Sequence, residues 1–365
     1  MADKLRVGII GANPNLGWAS RAHLPGFAAG LPGLELVAVS TTRQESADES
    51  AKKFGAQQAF ADHREMLEKA DIDIAAVAVK LPHHLALTSD ILNAGKHVYT
   101  EWPLGATTAE AEQLTALAKQ KGVRTAIGLQ ARRSAEYAHA RRLIDEGYIG
   151  DMLSVSMTQL TPGALSPPAA RTWMKDASQG ANTLSIAFGH AIDGLMAAVG
   201  PIDSVAAVVS CQVGEWTASD TGEKYAVDAP DNVLVSGRLK NGATISAHVA
   251  AVAGTGTGHR LEVEGTKGTL LIVASNSPHV NAPTKLFGAT GGATELTEIE
   301  VPQDPWVDEL GLTGSAINIG KLWKSFADSF ASDDSFDPDF DSAVAHHRFI
   351  DAVQRASDTG QTQRL

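Results

Sequence analysis

Short apolar runs alternate with amphipathic stretches through the first third of the chain, and glycine, proline or asparagine separates most of them. Leu5 to Ile10, Leu34 to Ser40, Ile72 to Val79, Lys96 to Thr100 and Arg124 to Gly128 read as buried strands. Between them the helical period predicts helices over Gly17 to Ala29, Ser46 to Phe54, His84 to Ala94 and Thr108 to Lys121, the last two closed by Gly95 and Gly122. Strand and helix alternating at these lengths predict a doubly wound parallel sheet, an α/β domain over residues 1–130. A helix from Ser134 to Gly147 leads out of it, and the pattern then changes. Met152 to Leu160, Ser204 to Gln212, Asn232 to Lys240, Ala243 to Ala251, His259 to Glu264 and Gly268 to Val273 read as strands, with Asn241-Gly242 as a hairpin signal. Two helices accompany them, Gly180 to Val199 and Ser342 to Ala356. Residues 131–340 are thus expected to form an α+β domain, with 341–365 as a helix and tail packing back on the body.

In a doubly wound sheet ligands bind beyond the carboxyl ends of the strands. The first such end is Gly11-Ala12-Asn13-Pro14-Asn15-Leu16-Gly17-Trp18, a strand–loop–helix arrangement that offers backbone N–H groups to a phosphate. It departs from the G-x-G-x-x-G dinucleotide fingerprint: Asn13 holds the second glycine position, and the last glycine arrives one residue late, at Gly17. Asparagine tolerates a left-handed backbone better than most residues, so the turn can survive; an ordinary buried strand and turn is the competing reading. The second strand ends in Ser40-Thr41-Thr42-Arg43, with no acid before Glu45. A carboxylate there would suit the ribose hydroxyls of NAD, whereas hydroxyls and a guanidinium suit a 2′-phosphate. If a dinucleotide binds, NADP(H) is favoured over NAD(H); otherwise Arg43 is a solvated cation. Leu81-Pro82-His83-His84 reads as a helix start beside a cofactor, because no acidic or cysteine partner lies at metal-ligand spacing. Glu101-Trp102-Pro103 is either a turn with a packing tryptophan or a segment facing a nicotinamide.

At 365 residues the chain is too long for one ordinary core, and 44% hydrophobic with 20% charged residues is the composition of a soluble globular protein. A formal net charge of −12 argues against nucleic acid or an anionic membrane as partner. Cys211 is the single cysteine, which excludes an internal disulfide and a thiolate metal cluster. No stretch has the purity of a membrane span, and Met1 to Arg6 lacks the features of a signal peptide, so a cytoplasmic protein is expected. Asp337 to Asp341 imitates a calcium loop without its glycine or terminal glutamate, and Gly254 to Gly258 imitates a phosphate loop without the following Lys-Ser/Thr. No metal site is expected, and without a G-x-S-x-G elbow neither is a serine hydrolase.

Taken in order, Val7 to Gly17, the run from Ala94-Gly95-Lys96-His97-Val98 into Glu101-Trp102-Pro103-Leu104, Leu143 to Gly150, Trp173 ahead of Gly180, His190-Ala191-Ile192-Asp193 and Glu264 to Gly268 make the chain resemble the Gfo/Idh/MocA oxidoreductase family. The resemblance covers nearly the whole length. It implies an N-terminal Rossmann domain and a C-terminal domain with a large, mostly antiparallel open sheet, a common homodimer or homotetramer interface. It also implies NAD(P)-dependent chemistry on sugars, cyclitols and related small molecules. With the strand ends above, the candidate cofactor-binding set is Gly11, Asn13, Leu16, Gly17, Trp18, Ser40, Thr41, Arg43, Leu81, Pro82, His84, Glu101, Trp102 and Gln130. The candidate substrate set is Trp102, Trp173, Asn182 and His190. Two family positions differ: Trp102 stands where the family has the lysine of Glu-Lys-Pro, and Ile186 where it has an aspartate four residues before the histidine. One branch, the fungal galactose-regulon repressor and its bacterial relatives, is more similar still. It shares Gly-x-Asn-x-x-x-Gly-Trp-Ala at Gly11 to Ala19, Glu101-Trp102, Gln130 with basic residues at 132 and 133, and Phe188-Gly189-His190. That repressor is an NADP-responsive binding protein.

On the helix from Gly180, Asn182, Ile186, His190 and Asp193 recur at spacings of four, four and three, which is one helical face. His190 is the candidate general acid/base, since imidazole titrates near neutral pH, and a hydrogen-bonded structural histidine is its alternative. Lys175, in the loop from Thr161 to Gln179, is the candidate to replace the missing lysine. Asp193 is expected to orient the helix or the imidazole. Arg132 and Arg133 either reach the cofactor or an anionic substrate, or begin a helix in solvent. The leading expectation is an NADP(H)-dependent oxidoreductase acting on a sugar, a sugar derivative or another small alcohol or carbonyl compound, with Trp102 as a stacking wall. The alternative is a non-catalytic, NADP-responsive regulator; a redox-assisted glycosidase with tightly held NAD is a third.

Overall fold

Strands buried on both faces of a sheet are apolar almost throughout, and this is how β1 (Leu5–Ile10), β2 (Leu34–Ser40), β4 (Ile74–Val77) and β6 (Thr125–Gly128) are built, while β5 (His97–Glu101) ends in buried Thr100 and Glu101 and the short β3 (Gln58–Phe60) opens on an exposed Gln58. In the computed structural model, which describes residues 4–162, 165–252, 254–278, 283–331 and 336–365, they form a parallel sheet in the order β3-β2-β1-β4-β5-β6. The order reverses at β1, which pairs with both β2 and β4, so the crevice beyond Ile10 is the switch point of the sheet. Helices α1 (Leu24–Ala29), α2 (Gln44–Phe54), α3 (His63–Lys69), α4 (His84–Asn93) and α5 (Thr108–Lys121) connect the strands. The helix expected from Gly17 is in two parts: a π-helix over Ala19–His23 runs into α1. The short β3 and α3 carry no clear periodic pattern of their own; α3 is started by Asp62, whose side chain accepts from the Arg64 amide.

Further along come α6 (Ala135–Asp145), β7 (Met152–Pro162), α7 (Gly189–Val199) and β8 (Ile202–Ser210). A separate hairpin, β9 (Glu215–Thr217) with β10 (Lys224–Ala226), precedes β11 (Asn232–Leu239), β12 (Thr244–Val252), β13 (Gly258–Gly265), β14 (Gly268–Ala274), β15 (Thr284–Thr290) and β16 (Thr297–Ile299). With the short terminal β17 (Gln363–Arg364) they form a nine-stranded open sheet in the order β16-β15-β14-β13-β7-β12-β11-β8-β17. Every pairing in it is antiparallel except β12 with β7. Burial alternates along β7: Val155, Met157 and Gln159 point inward, while Ser156 and Thr158 are exposed.

The last helices, α8 (Pro305–Glu309), α9 (Ser315–Ser329) and α10 (Phe340–Thr359), correct the expected domain boundaries. One compact unit is Met1–Gln130 with Asp304–His347; the other is Ala131–Gln303 with Arg348–Leu365. Residues 304–340 therefore belong with the Rossmann sheet, not with the α+β domain. The cause is the apolar stripe of α9, whose Ile319, Leu322, Trp323 and Phe326 enter the same core as Val7, Ile9, Leu24 and Tyr99. Trp323 stacks on Tyr99 with ring centroids 4.6 Å apart.

Candidate functional site

The loop after β1 depends on glycine at one end and on asparagine in the middle. Gly11 has φ +87°, and a Cβ there would lie 2.5 Å from the Ala78 carbonyl oxygen and 2.6 Å from Val79 Cγ1, so only glycine lets β1 leave beside the end of β4. The Gly11 and Ala12 amides donate to the Ser40 carbonyl at 2.9 and 3.2 Å, joining the ends of β1 and β2. The Asn13 side chain explains the missing second glycine: its Oδ1 accepts from the Asn15 and Leu16 amides at 3.0 and 2.9 Å and closes the turn itself. Lys53 on α2 donates to the Pro14 carbonyl at 2.7 Å, and Asn15 donates to Glu49 at 2.8 Å, which tethers the loop to that helix. Leu16 is 71% exposed. Gly17, at φ +92°, faces open space. Trp18 is half-buried against the core with the Arg21 guanidinium 5.7 Å above its ring.

At the end of β2, Ser40 is buried, and the Thr41 hydroxyl is already used: it and the Ser46 hydroxyl reach the Arg43 carbonyl at 2.8 and 2.9 Å and start α2. Thr41 thereby also serves the helix start. The Arg43 guanidinium is exposed, and among the described residues no ion pair engages it.

A buried relay, with no warning in the sequence motifs, fixes Glu101. The Trp323 indole N–H donates to His23 Nδ1 at 3.0 Å, and His23 Nε2 lies 2.9 Å from Glu101 Oε1. An indole can only donate, so Nδ1 is the acceptor and Nε2 carries the proton that goes to the carboxylate. Glu101 also lies over β6, where a Cβ on Gly128 would meet its carboxylate at 2.7 Å. Trp102 departs from the role of an open wall. It is 5% exposed, and its ring packs against His346 and His347 at 4.7 and 4.6 Å. Burial, with His346 adjacent, lowers the His347 pKa to about 3. Leu81 is buried and Pro82 exposed in a 3₁₀ turn. His84 is spent on structure: its ring nitrogens lie 2.8 Å from the Pro103 carbonyl and 3.2 Å from the Val79 carbonyl, and burial lowers its pKa. Gln130 is fully buried.

In the second unit, Asn182 is the cap of a π-helix over Thr183–Phe188. Its side chain accepts from the Leu184 and Ser185 amides at 3.0 and 3.1 Å, and Ser185 Oγ accepts from its amide in return. That capping box occupies the side-chain oxygen of Asn182. His190 follows in the first turn of α7 and is buried. Both oxygens of Asp193 are held by the Arg132 guanidinium. Gly194 is forced by packing: a Cβ there would lie 2.5 Å from the Tyr137 ring, whose hydroxyl meets His259 Nε2 at 2.9 Å. Lys175 and Trp173 are half-buried in a 3₁₀ segment pinned to the β9–β10 hairpin and the stretch after it. The Lys175 carbonyl accepts from the Asp228 and Ala229 amides at 3.1 and 3.2 Å, and Asp220 accepts from the Ala169 amide at 2.8 Å. Among the described residues no helix is long and apolar enough to cross a membrane, and no three His, Cys, Asp or Glu side chains converge as a metal site.

Residues 5–129 match the family described as the oxidoreductase family with an NAD-binding Rossmann fold, GFO_IDH_MocA, and residues 136–274 match the C-terminal domain of Gal80p. The N-terminal domain is thus that of the Gfo/Idh/MocA oxidoreductase family, and the C-terminal domain is similar to that of Gal80p. It is 28% identical to levoglucosan dehydrogenase of Pseudarthrobacter phenanthrenivorans over 74% of this chain and 73% of that enzyme. It is 27% identical to the galactose/lactose metabolism regulatory protein GAL80 of Kluyveromyces lactis, over 73% of this chain and 63% of the regulator. A levoglucosan dehydrogenase structure, in complex with NADH and levoglucosan, shares the fold at a TM-score of 0.85 and 24% identity, covering 99% of both chains. The similar proteins thus include both sugar dehydrogenases and Gal80-type regulators.

Proposed function

We propose that the chain is an NADP(H)-dependent oxidoreductase acting on a sugar, a sugar derivative or another small alcohol or carbonyl compound. The observation that carries this reading is the β1 loop: Gly11 leaves a cradle that a Cβ would fill, and Asn13 closes the turn where a glycine is missing. The exposed Arg43 guanidinium, with no carboxylate before Glu45, favours a 2′-phosphate and hence NADP(H) over NAD(H). The bound dinucleotide would exchange the hydride with the substrate carbon, and His190 would take up or return the proton of the substrate oxygen. Lys175 is the remaining candidate for the missing lysine, and Trp173 for a substrate contact. The uncovered hydroxyl face of the large sheet, with Ser156 opposite Ser246 and Leu234 opposite His248, fits a homodimer or homotetramer. The charge and composition suit a cytoplasmic protein with a small-molecule substrate and no nucleic-acid or membrane partner.

A second reading, a non-catalytic NADP-responsive regulator, is favoured by one observation. The family's lysine position holds Trp102, and its ring is buried against His346 and His347. Titration with NADPH and NADH, followed by turnover with a panel of sugars and aromatic ketones, separates the two. Micromolar NADPH binding with turnover of at least one substrate is expected. Binding without turnover on any of them favours the regulator, and tighter NADH than NADPH binding contradicts the Arg43 argument.

A further inference from the structure

Two buried polar side chains on the inner face of the large sheet each have one hydrogen-bonding atom unanswered. Gln159 on β7 and His259 on β13 are direct cross-strand partners, and each is 1% exposed. Opposed residues of an antiparallel pair project from the same face, with Cβ atoms about 4.5–5.5 Å apart. Gln159 Oε1 and His259 Nδ1 are both enclosed by protein, and among the described residues neither has a hydrogen-bond partner. Buried polar atoms are nearly always paired, with protein or with ordered water. The other end of each side chain is engaged. Gln159 Nε2 donates to the Ala187 carbonyl at 3.4 Å, and the Tyr137 hydroxyl on α6 lies 2.9 Å from His259 Nε2.

The direction of these bonds follows from the protons. Burial lowers the His259 pKa to about 4, so the ring is neutral near pH 7 and carries a single N–H. Burial also raises the pKa of Tyr137, which keeps its hydroxyl proton. Among the described residues that proton has one acceptor, His259 Nε2. Tyr137 therefore donates, Nε2 accepts, and Nδ1 carries the ring proton. A donor on β13 and an acceptor on β7 thus stand on neighbouring strands of one face without bonding each other. A molecule that accepts from one and donates to the other satisfies both, and water is small enough for so enclosed a place.

We propose that Gln159 and His259 hold one buried water, which accepts from His259 Nδ1–H and donates to Gln159 Oε1. The bonds then run in one direction, from Tyr137 to His259, to the water, to Gln159 and to the Ala187 carbonyl. This chain ties α6, through two strands of the sheet, to the π-helical segment that enters α7. Gln159 and His259 are positioning residues for that segment, which ends two residues before His190.

A crystal structure of the full chain, at a resolution that orders internal waters, tests the site, and nitrogen-15 NMR of histidine-labelled protein reads the tautomer. A water within about 2.7–3.2 Å of both atoms is expected, with the His259 proton on Nδ1 and a cross-peak from it to water. A direct bond between Nδ1 and Oε1, no water between them, or a proton on Nε2 overturns the proposal. Gln159→Met keeps the length of the side chain and removes the acceptor, so the water and its cross-peak should be lost. A water that stays in place in that variant overturns the part given to Gln159. If Gln159→Met fails to fold, the wild-type measurements decide alone. None of them needs cofactor or turnover, so their outcome is separate from that of the oxidoreductase reading.

Discussion

Replacing His23 tests the relay that fixes Glu101. In His23→Phe the aromatic volume stays between Tyr99 and Trp323, whose rings meet the histidine edge-on at 5.2 and 6.1 Å. Both hydrogen bonds are lost, leaving the Trp323 indole N–H and the Glu101 carboxylate without their partner. A stranded buried donor costs about 1–3 kcal/mol, and removing the partner of a buried charge costs about 3–5 kcal/mol. The Glu101 side chain is 10% exposed, so water relieves part of the second cost. A loss of about 3 kcal/mol in the stability of the Rossmann unit is expected. Urea denaturation reads it as a lowered midpoint at constant slope. Trp323→Phe alone should cost about 1 kcal/mol. With it in place, His23→Phe no longer strands an indole, so the double variant should fall short of the sum by about 1 kcal/mol. A loss below about 1 kcal/mol for His23→Phe, or additivity of the pair, would refute the relay.

Two further outcomes follow from the same structure. Gly11→Ala forces an L side chain into φ +87° against the Ala78 carbonyl; the conformation costs about 1–2 kcal/mol and the crowding about 1–3 kcal/mol. NADPH fluorescence titration should show affinity reduced by more than about tenfold, whereas Gly17→Ala, which faces open space, should lose less. Burial also lowers the pKa of His259 to about 4 and of His347 to about 3, below the ordinary histidine value. The unfolded chain then binds more protons than the native one, so the stability these rings confer is complete above about pH 6.5 and is lost as pH falls toward those values. Denaturation at pH 8, 6 and 5 should show declining midpoints, with a shallower decline in His259→Gln.

Much of the first domain was legible because its signals are local. Thr108–Lys121 matches the predicted helix residue for residue, since Thr107 caps its start and Gly122, at φ +65°, ends it. The longer strands were legible as apolar runs, with ends shifted by one or two residues, whereas β3, β9, β10, β15, β16 and β17 were not read. The π turns were not, because a spacing of four reads the same whether the turn closes at the fourth or fifth residue. Asn182 looked like part of one helical face with Ile186 and His190, whereas it is the extended cap of the π segment. Helix α9 carries a readable stripe at Ala316, Ile319, Leu322, Trp323 and Phe326, but which core receives it depends on packing across nearly three hundred residues of sequence, as the bond from Trp323 to His23 shows. The strand-end motifs named residues that lie at the ends of β1, β2, β4 and β5. What they could not separate was a side chain available to a ligand from one already committed. Thr41, His84, Asn182 and Asp193 are all polar and well placed, and each is engaged by its own fold.

The most direct test of the whole account is a paired measurement of NADPH affinity and substrate turnover in wild-type protein and His190→Asn. The account predicts that the variant binds NADPH as the wild type does and loses turnover by at least about a hundredfold. Turnover in His190→Asn equal to the wild type, with affinity unchanged, would contradict it.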